Sequence, residues 1–209
     1  PTLQPIHQAR WSPDGRFLAT LTTSGSVSLL SAKDGRLVKR ISADTPVKAI
    51  AWSPDSRRLA TWDLATISIR DTSSSPTNGN GIRGKEVFSF PTGQHEMAWA
   101  NNRSLIWQPQ GDRIIAAVSG KVGVWNSKTG KQEKEITEHV HGLVVSSPAG
   151  DTILTSSSVT VDSMVFDLRE QNPQRKDVRF GGVVAWSPDG TLLATAEGNG
   201  VIRRADTFD

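Results

Sequence analysis

An all-β fold of repeated four-stranded antiparallel units is predicted by three observations. The corner Trp-Ser-Pro-Asp-Gly at residues 11–15 returns in four further versions along the chain. Short apolar stretches of strand length follow each corner and are separated by glycine-containing turns, and no stretch has sustained helical periodicity. Because a four-stranded unit repeating every ~40–45 residues is typical of a β-propeller blade, the sequence predicts five such blades.

The recurring corner sets the boundaries of the units. Its prolines follow one another at intervals of 41, 55, 39 and 40 residues, so three intervals agree and one is long. The corners are Trp11-Ser12-Pro13-Asp14-Gly15, Trp52-Ser53-Pro54-Asp55-Ser56, Trp107-Gln108-Pro109-Gln110-Gly111, Ser146-Ser147-Pro148-Ala149-Gly150 and Trp186-Ser187-Pro188-Asp189-Gly190. They predict units at about 6–42, 43–90, 91–137, 138–180 and 181–209, with a polar loop insertion at 72–84 in the long one.

Each unit is expected to contain strands a, b, c and d in chain order. Proline ends strand a because it cannot donate to a ladder, and it presets the turn that glycine completes. Strand b begins near the aliphatic residue five places after the proline, and strand c is the next apolar stretch. The expected d strands are Arg36–Ile41, Lys85–Phe90, Lys131–Ile136 and Lys176–Phe180. Their many charges suit an outer edge, since lysine there discourages intermolecular pairing.

Composition excludes several classes of protein. The chain of 209 residues is 36% hydrophobic and 22% charged, which is ordinary for a globular protein. It has no cysteine, so disulfides, thiol catalysis and cysteine-ligated zinc are excluded, and its net charge of +3 is too small to indicate a strong nucleic-acid footprint. No membrane-spanning apolar run occurs and residues 1–20 lack the features of a signal peptide, so we expect an intracellular, cytoplasmic protein.

The repeats resemble those of the WD40 family. The resemblance lies in the Trp-Ser-Pro-Asp-Gly corner and in a Trp-Asp-like dipeptide ending strand c, present as Trp125-Asn126, Phe166-Asp167 and Arg70-Asp71. Periplasmic propellers that accompany outer-membrane import have a similar corner, but Ser127-Lys128-Thr129-Gly130 after Trp125-Asn126 favours WD40. The resemblance implies a β-propeller that binds other proteins.

The fifth unit poses a problem of closure, because its sequence supplies strands a to c and no strand d. In one account Thr2–Ile6 supplies that outer strand and five blades close into a ring. In the other, the chain is an arc of a larger propeller, completed by another chain or by further sequence. Pro1 and Pro5 make Thr2–Ile6 a poor ladder strand unless it lies on an edge. The arc is the better expectation, since WD40 rings mostly resemble seven-bladed objects and an uncovered edge would invite aggregation.

Motifs that resemble reactive sites have simpler interpretations. Residues 79–84 match the dinucleotide pattern G-x-G-x-x-G, but they lack the preceding strand and following helix that bind a pyrophosphate. His139 and His141, near Glu135 and Glu138, lack a third ligand at diagnostic spacing. No arrangement suggests a catalytic nucleophile. We therefore expect no enzymatic activity, no cofactor and no metal.

The leading functional hypothesis is a non-catalytic protein–protein interaction scaffold within a larger complex. Trp11, Trp52, Trp107 and Trp186 share the repeated slot and are expected to pack between neighbouring blades. Trp62 and Trp99 fall outside that slot and are candidate surface anchors. Candidate contacts on the b–c turns and d–a connections are Asp44, Thr45, Trp62, Asp63, Gln94, His95, His139 and His141.

The alternative is an RNA- or ribosome-associated propeller that uses a basic rim. It is suggested by Arg57-Arg58, Arg203-Arg204 and the stretches 33–40 and 175–179. A solvated surface is the ordinary interpretation of such scattered charges, and nucleic-acid binding through them is expected to weaken steeply with added salt.

Overall fold

The structure is a computed structural model that describes residues 4–41, 43–72, 86–92, 104–118, 120–137, 143–156, 162–179, 184–196 and 200–208. Within these ranges the regular structure is entirely β. The strands are β1 (Ile6–Trp11), β2 (Phe17–Thr22), β3 (Val27–Ser31), β4 (Leu37–Ile41), β5 (Ala49–Trp52), β6 (Arg58–Trp62), β7 (Thr66–Asp71), β8 (Glu86–Pro91), β9 (Leu105–Trp107), β10 (Arg113–Val118), β11 (Lys121–Asn126), β12 (Gln132–Ile136), β13 (Leu143–Ser146), β14 (Thr152–Ser156), β15 (Asp162–Asp167), β16 (Arg175–Arg179), β17 (Val184–Trp186), β18 (Leu192–Thr195) and β19 (Val201–Arg204).

The strands form five antiparallel sheets in which spatial order follows chain order. Strands β1–β4, β5–β8, β9–β12 and β13–β16 make four-stranded sheets, and β17–β19 make a three-stranded one. We call these the first to fifth blades and keep the letters a to d for the strands of each. The predicted all-β fold of antiparallel propeller blades is confirmed.

The amino-terminal residues belong to the first blade rather than to the fifth. Ile6 begins β1 and pairs with Thr22, and the Pro5 carbonyl accepts a hydrogen bond from the Thr23 amide at 3.0 Å. The expectation that Thr2–Ile6 could supply an outer strand to the fifth blade is therefore wrong for Pro5 and Ile6, because their backbones lengthen strand a of their own sheet. Residues 1–3 lie outside the described ranges.

Side-chain hydrogen bonds explain why the corner is Trp-Ser-Pro-Asp-Gly. In the first blade Ser12 Oγ donates to Asp14 Oδ1 at 2.6 Å and accepts from the Phe17 amide at 2.9 Å. Gly15 has φ +70°, a conformation that glycine adopts without steric penalty. The corners at 53–58 and 187–192 repeat both serine bonds, so the motif is a locally satisfied turn rather than a reactive group.

The described residues group into two compact units. The first unit holds the first and second blades with the turn at 127–131, and the second unit holds the strands of the third, fourth and fifth blades. Within each unit, neighbouring blades bury apolar side chains against each other. Leu29 of the first blade shares a cluster with Ile50 of the second, and Val165 of the fourth shares one with Leu193 of the fifth.

The corner tryptophans occupy different environments. Trp52 is 8% exposed, stacks on Phe17 of the first blade with ring centroids 6.5 Å apart, and donates its indole N–H to the Arg10 carbonyl at 3.0 Å. Trp186 likewise packs against a cluster that contains residues of the fourth blade. Packing between blades is thus confirmed at these two positions. It is wrong at Trp11, which is 61% exposed.

Candidate interaction site

Strand order places two kinds of connection at one end of each blade. Because the four strands alternate in direction, the d–a connection that enters a blade and its own b–c turn lie at the same end. In the first compact unit this end brings together the connection 43–48 and the turns around Gly25 and Asp63. We call these three segments the loop platform.

The connection is fixed on both sides by hydrogen bonds. Thr45 Oγ1 donates to an Asp63 carboxylate oxygen in the b–c turn of the second blade. The Val47 amide donates to the Gly25 carbonyl in the b–c turn of the first blade at 3.2 Å. The Lys48 amide donates to the Trp62 carbonyl at 2.7 Å. The segment therefore has a defined backbone position although Asp44, Thr45 and Pro46 are exposed.

Gly25 is required for this close approach. Its φ is +87°, and a Cβ atom built on it would lie 2.6 Å from the Cα and Cβ atoms of Pro46. Any larger residue would therefore force Pro46 away and strain its own backbone. The Ser24-Gly25 signal in the sequence thus indicates a contact between a turn and the neighbouring connection as well as a tight hairpin.

Asp63 organises the turn of the second blade. Its Oδ1 atom accepts hydrogen bonds from the amides of Ala65 at 3.0 Å and Thr66 at 2.7 Å, while its carboxylate also accepts the Thr45 hydroxyl. Leu64, between Asp63 and Ala65 in the turn, has φ +86°. This left-handed conformation is rare for a bulky residue and costs of order 1–3 kcal/mol. The carboxylate bonds hold this conformation in place.

Trp62 is not a surface anchor. Its side chain is 2% exposed, and its indole N–H donates to Thr92 Oγ1 at 3.3 Å. It lies on strand b, pairing with Ala49, so its ring points into the core rather than out from a turn. The interpretation of Trp62 as an exposed aromatic anchor is therefore wrong, and the residue supports the platform from beneath.

The structure brings together part of the predicted contact set. Thr45 and Asp63 are joined directly, and Asp44 adjoins Thr45 on the exposed side. The platform also contains residues that pattern analysis did not single out, chiefly Pro46 and Leu64. The predicted contacts Gln94, His95, Trp99, His139 and His141, and the dinucleotide-like stretch 79–84, lie outside the described residues.

The opposite end of each blade carries the corners, where the electrostatic effects are local. The Ser12 hydroxyl bond, with help from Arg16, lowers the pKa of Asp14 to about 2. Burial acts to raise the pKa of Asp55, but hydrogen bonds from Ser53 and the Arg57 amide outweigh it, so this pKa is also lowered. These carboxylates are held ionised by turn geometry.

Many basic side chains of the supposed rim are paired with nearby carboxylates. Their ion pairs are Arg36 with Asp34 at 3.5 Å, Arg58 with Asp55 at 3.9 Å, Arg175 with Asp177 at 2.5 Å and Arg204 with Asp206 at 2.9 Å. Pairing of this kind reduces the positive potential that a phosphate backbone would encounter.

Between the fourth and fifth blades lies a cleft of about 710 Å³. Its apolar wall includes Val165, Trp186 and Phe208. Its guanidinium groups face carboxylates, as in the pair of Arg169 with Asp167 at 2.5 Å. Across the described ranges no group of three or more histidine, aspartate or glutamate side chains is arranged to hold a metal ion. Those ranges also contain no helix long and apolar enough to cross a membrane.

Two models of known protein families match parts of the chain. Residues 3–55 match the family described as the anaphase-promoting complex subunit 4 WD40 domain, and residues 182–204 match the WD domain, G-beta repeat. No curated protein matches the chain. Together with the five antiparallel blades, these two matches support a WD40-repeat β-propeller.

Solved structures agree on the fold. A chain of Kuenenia stuttgartiensis hydrazine synthase is similar to the present chain, with a TM-score of 0.72 and 17% sequence identity. The match covers 97% of the present chain. The present chain spans 66% of that chain. Since 1545 solved chains match in all, the likeness describes a widely shared architecture and no particular activity.

Proposed function

We propose that the protein is a non-catalytic protein–protein interaction scaffold, acting as a subunit or domain of a larger complex. The observation that carries this proposal is the fixed connection 43–48, held by Thr45 on Asp63 and by Val47 on Gly25. An exposed segment with a predetermined backbone loses little conformational entropy on binding, which favours recognition of another surface. WD40 propellers usually mediate protein interactions, in agreement with this use of the platform.

The chemistry of the platform suits a polypeptide partner. The connection presents three exposed residues, Asp44, Thr45 and Pro46, on one fixed backbone, and the ring of Pro46 adds a rigid apolar surface. The cleft between the fourth and fifth blades offers a less persuasive site for catalysis, because its charged groups are engaged in ion pairs such as Arg169 with Asp167. We therefore favour binding through the platform over an enzymatic role.

A comparative affinity purification tests the proposal. The full chain and the variant Asp44→Lys/Pro46→Glu would be used as baits, with Lys33→Glu/Asp34→Lys as a matched control at the opposite end of the first blade. We expect specific polypeptides that bind the unaltered chain and the control, and that fall at least about tenfold with the platform variant. Equal recovery by all three baits would contradict a role for the platform.

The same purification distinguishes the RNA alternative. Nuclease treatment and a salt series are added, since binding to phosphates falls steeply with ionic strength. Partners that survive nuclease and moderate salt support the scaffold. Partners that disappear under both treatments, and whose loss follows Arg57→Glu/Arg58→Glu rather than the platform variant, would favour the RNA-associated propeller.

A further inference from the structure

The first residue of strand b differs between the first and fourth blades. In the first blade it is Phe17, whose amide donates to Ser12 Oγ at 2.9 Å and whose ring stacks on Trp52 of the second blade. In the fourth blade the same place is taken by Thr152, whose amide donates to Ser147 Oγ at 3.1 Å. Threonine has no ring, so the position that stacks on a corner tryptophan in the first blade offers no stacking partner in the fourth.

Trp186 of the fifth blade corresponds to Trp52 of the second. Both end strand a and pair with a leucine of strand b, Leu193 and Leu59 respectively. The indole N–H of Trp52 donates to the Arg10 carbonyl at 3.0 Å. The indole nitrogen of Trp186 is buried and has no hydrogen-bond partner among the described residues, and its ring stacks on none of them. Trp186 therefore lacks both contacts that hold Trp52.

The cleft between the fourth and fifth blades lies at this place. Thr152 and Trp186 both line it, together with the apolar residues Pro148, Val165 and Leu192. Its volume of about 710 Å³ is within the range of ~300–1,000 Å³ that is usual for sites holding small organic groups. The cleft therefore combines an unstacked tryptophan ring, an apolar lining and room for a second ring.

More carboxylates than guanidinium groups line the cleft. The charged lining residues are Asp151, Asp167, Asp189, Asp206, Arg169 and Arg204. Arg169 contacts Asp167 at 2.5 Å and Arg204 contacts Asp206 at 2.9 Å, so both guanidinium groups are already paired with carboxylates. The lining thus keeps an excess of negative charge, which favours a cationic group over an anionic one.

Asp189 is the carboxylate of the cleft that has no cationic partner among the described residues. In the corner of the first blade, Asp14 pairs with Arg16 at 2.7 Å. Thr191 takes the place of that arginine in the fifth blade, and Asp189 accepts hydrogen bonds from the Ser187 hydroxyl at 2.5 Å and the Thr191 amide at 3.1 Å. The Ser187 hydroxyl lowers the pKa of Asp189, so the carboxylate is ionised at neutral pH.

We propose that the cleft between the fourth and fifth blades binds an aromatic side chain of a partner polypeptide, with a basic residue next to it in the partner's sequence. The aromatic ring stacks on Trp186 as Phe17 stacks on Trp52, and the basic group pairs with Asp189. Burial of the ring provides most of the affinity, while the charge pair provides selectivity. The cleft shares no residue with the loop platform, so either proposal can be correct without the other.

Nuclear magnetic resonance of the indole N–H groups tests the proposal. The full chain has seven tryptophans, and the variant Trp186→Phe assigns the Trp186 signal. The probe is the capped tripeptide acetyl-Lys-Phe-Lys-amide, titrated into the millimolar range, with acetyl-Lys-Leu-Lys-amide and acetyl-Glu-Phe-Glu-amide as matched controls. We expect the probe to shift the Trp186 signal saturably and both controls to bind about tenfold more weakly. The Trp52 signal should stay unchanged, because Phe17 already stacks on that ring.

Variants of the chain locate the site. Thr152→Phe supplies a ring at the position that Phe17 has in the first blade, so it should weaken probe binding about tenfold or more. Thr152→Ser keeps the position open and should leave the affinity within about twofold. Asp189→Asn removes one charge and should weaken the lysine probe by up to about fivefold without weakening the glutamate control. The indole signals of the other tryptophans verify that each variant is folded.

Three results would overturn the proposal. The first is the absence of a saturable shift of the Trp186 signal. The second is equal affinity of the probe and either control peptide, and the third is undiminished binding of the probe by folded Thr152→Phe. Because the control peptides are compared on the unaltered chain, a folding defect in a variant cannot decide the outcome.

Discussion

The Asp14 amide donates a hydrogen bond to Ser56 Oγ, with the nitrogen and oxygen 2.9 Å apart, and so joins the corners of the first two blades. Ser56 occupies the place where the other four corners have glycine, and its φ is +60°. The corner of the second blade thus accepts backbone strain and gains a hydrogen bond to its neighbour. Its side chain is buried, so the hydroxyl has few alternatives in water.

At Ser56, a glycine variant should be more stable than an alanine variant, the reverse of the usual order of stability. Ser56→Ala keeps the left-handed strain and loses the bond, so we expect destabilisation of about 1–2 kcal/mol. Ser56→Gly loses the same bond but relieves strain, so it should be more stable than the alanine variant by about 1 kcal/mol. Urea unfolding of the two variants measures this difference, and alanine equal to or better than glycine would contradict the assignment.

Stability should depend on pH through Asp14. Its folded-state pKa is lowered to about 2, chiefly by the Ser12 hydroxyl, whereas the pKa of an unfolded aspartate is about 3.9. The stabilisation is therefore complete above the unfolded value and is lost as pH falls from about 4 to about 2. Thermal unfolding of the chain and of Ser12→Ala between pH 5 and pH 2 should show a shallower acid dependence in the variant. Parallel curves would count against this role of the serine.

Leu64 offers a site for stabilisation. Its φ of +86° is strained for leucine, while Gly25 holds a comparable value in the b–c turn of the first blade. We expect Leu64→Gly to be more stable than Leu64→Ala by about 1 kcal/mol, because only glycine relieves the conformation. For a chain of this size that difference corresponds to a melting temperature higher by roughly 2–4 °C. A higher melting temperature for the alanine variant would argue against backbone strain.

Two tryptophans of the same repeated slot provide a matched comparison. Trp52→Phe removes the bond from the indole to the Arg10 carbonyl and part of a buried ring, so we expect a loss of at least about 1 kcal/mol. Trp11→Phe, at an exposed ring, should change stability by less than about 0.5 kcal/mol. Chemical denaturation of both variants makes the comparison, and equal losses would mean that Trp11 is covered in solution.

The blades could be predicted from the sequence because their corners repeat. The environment of each repeated corner could not be predicted in this way. The Pro-Asp-Gly corners and the absence of helical periodicity indicated the strands and their antiparallel order. They could not separate Trp11 from Trp52, because the same residue in the same slot is 61% exposed in the first blade and, in the second, is buried and stacks on Phe17 of the first. Exposure is a property of neighbouring blades and is invisible to a local motif.

The candidate site was predictable in part for a similar reason. Thr45 and Asp63 were predicted as contacts because they lie on a d–a connection and a b–c turn, and the structure joins their side chains. The prediction of Trp62 as a surface anchor was wrong because strand b continues through this residue, which directs its ring into the core. The contact of Gly25 with Pro46 depends on two separate turns approaching in space, and no spacing along the chain reveals it.

The corner bonds also bear on how the protein can change over evolutionary time. Ser12 and Asp14 satisfy one another inside their own turn, and the link to Ser56 reaches the adjacent blade. In the part of the chain the structure describes, a change at one corner is thus felt mainly by its immediate neighbour, as in other repeat architectures. Individual turns can then acquire new sequences while distant blades keep their packing, which makes the scaffold modular.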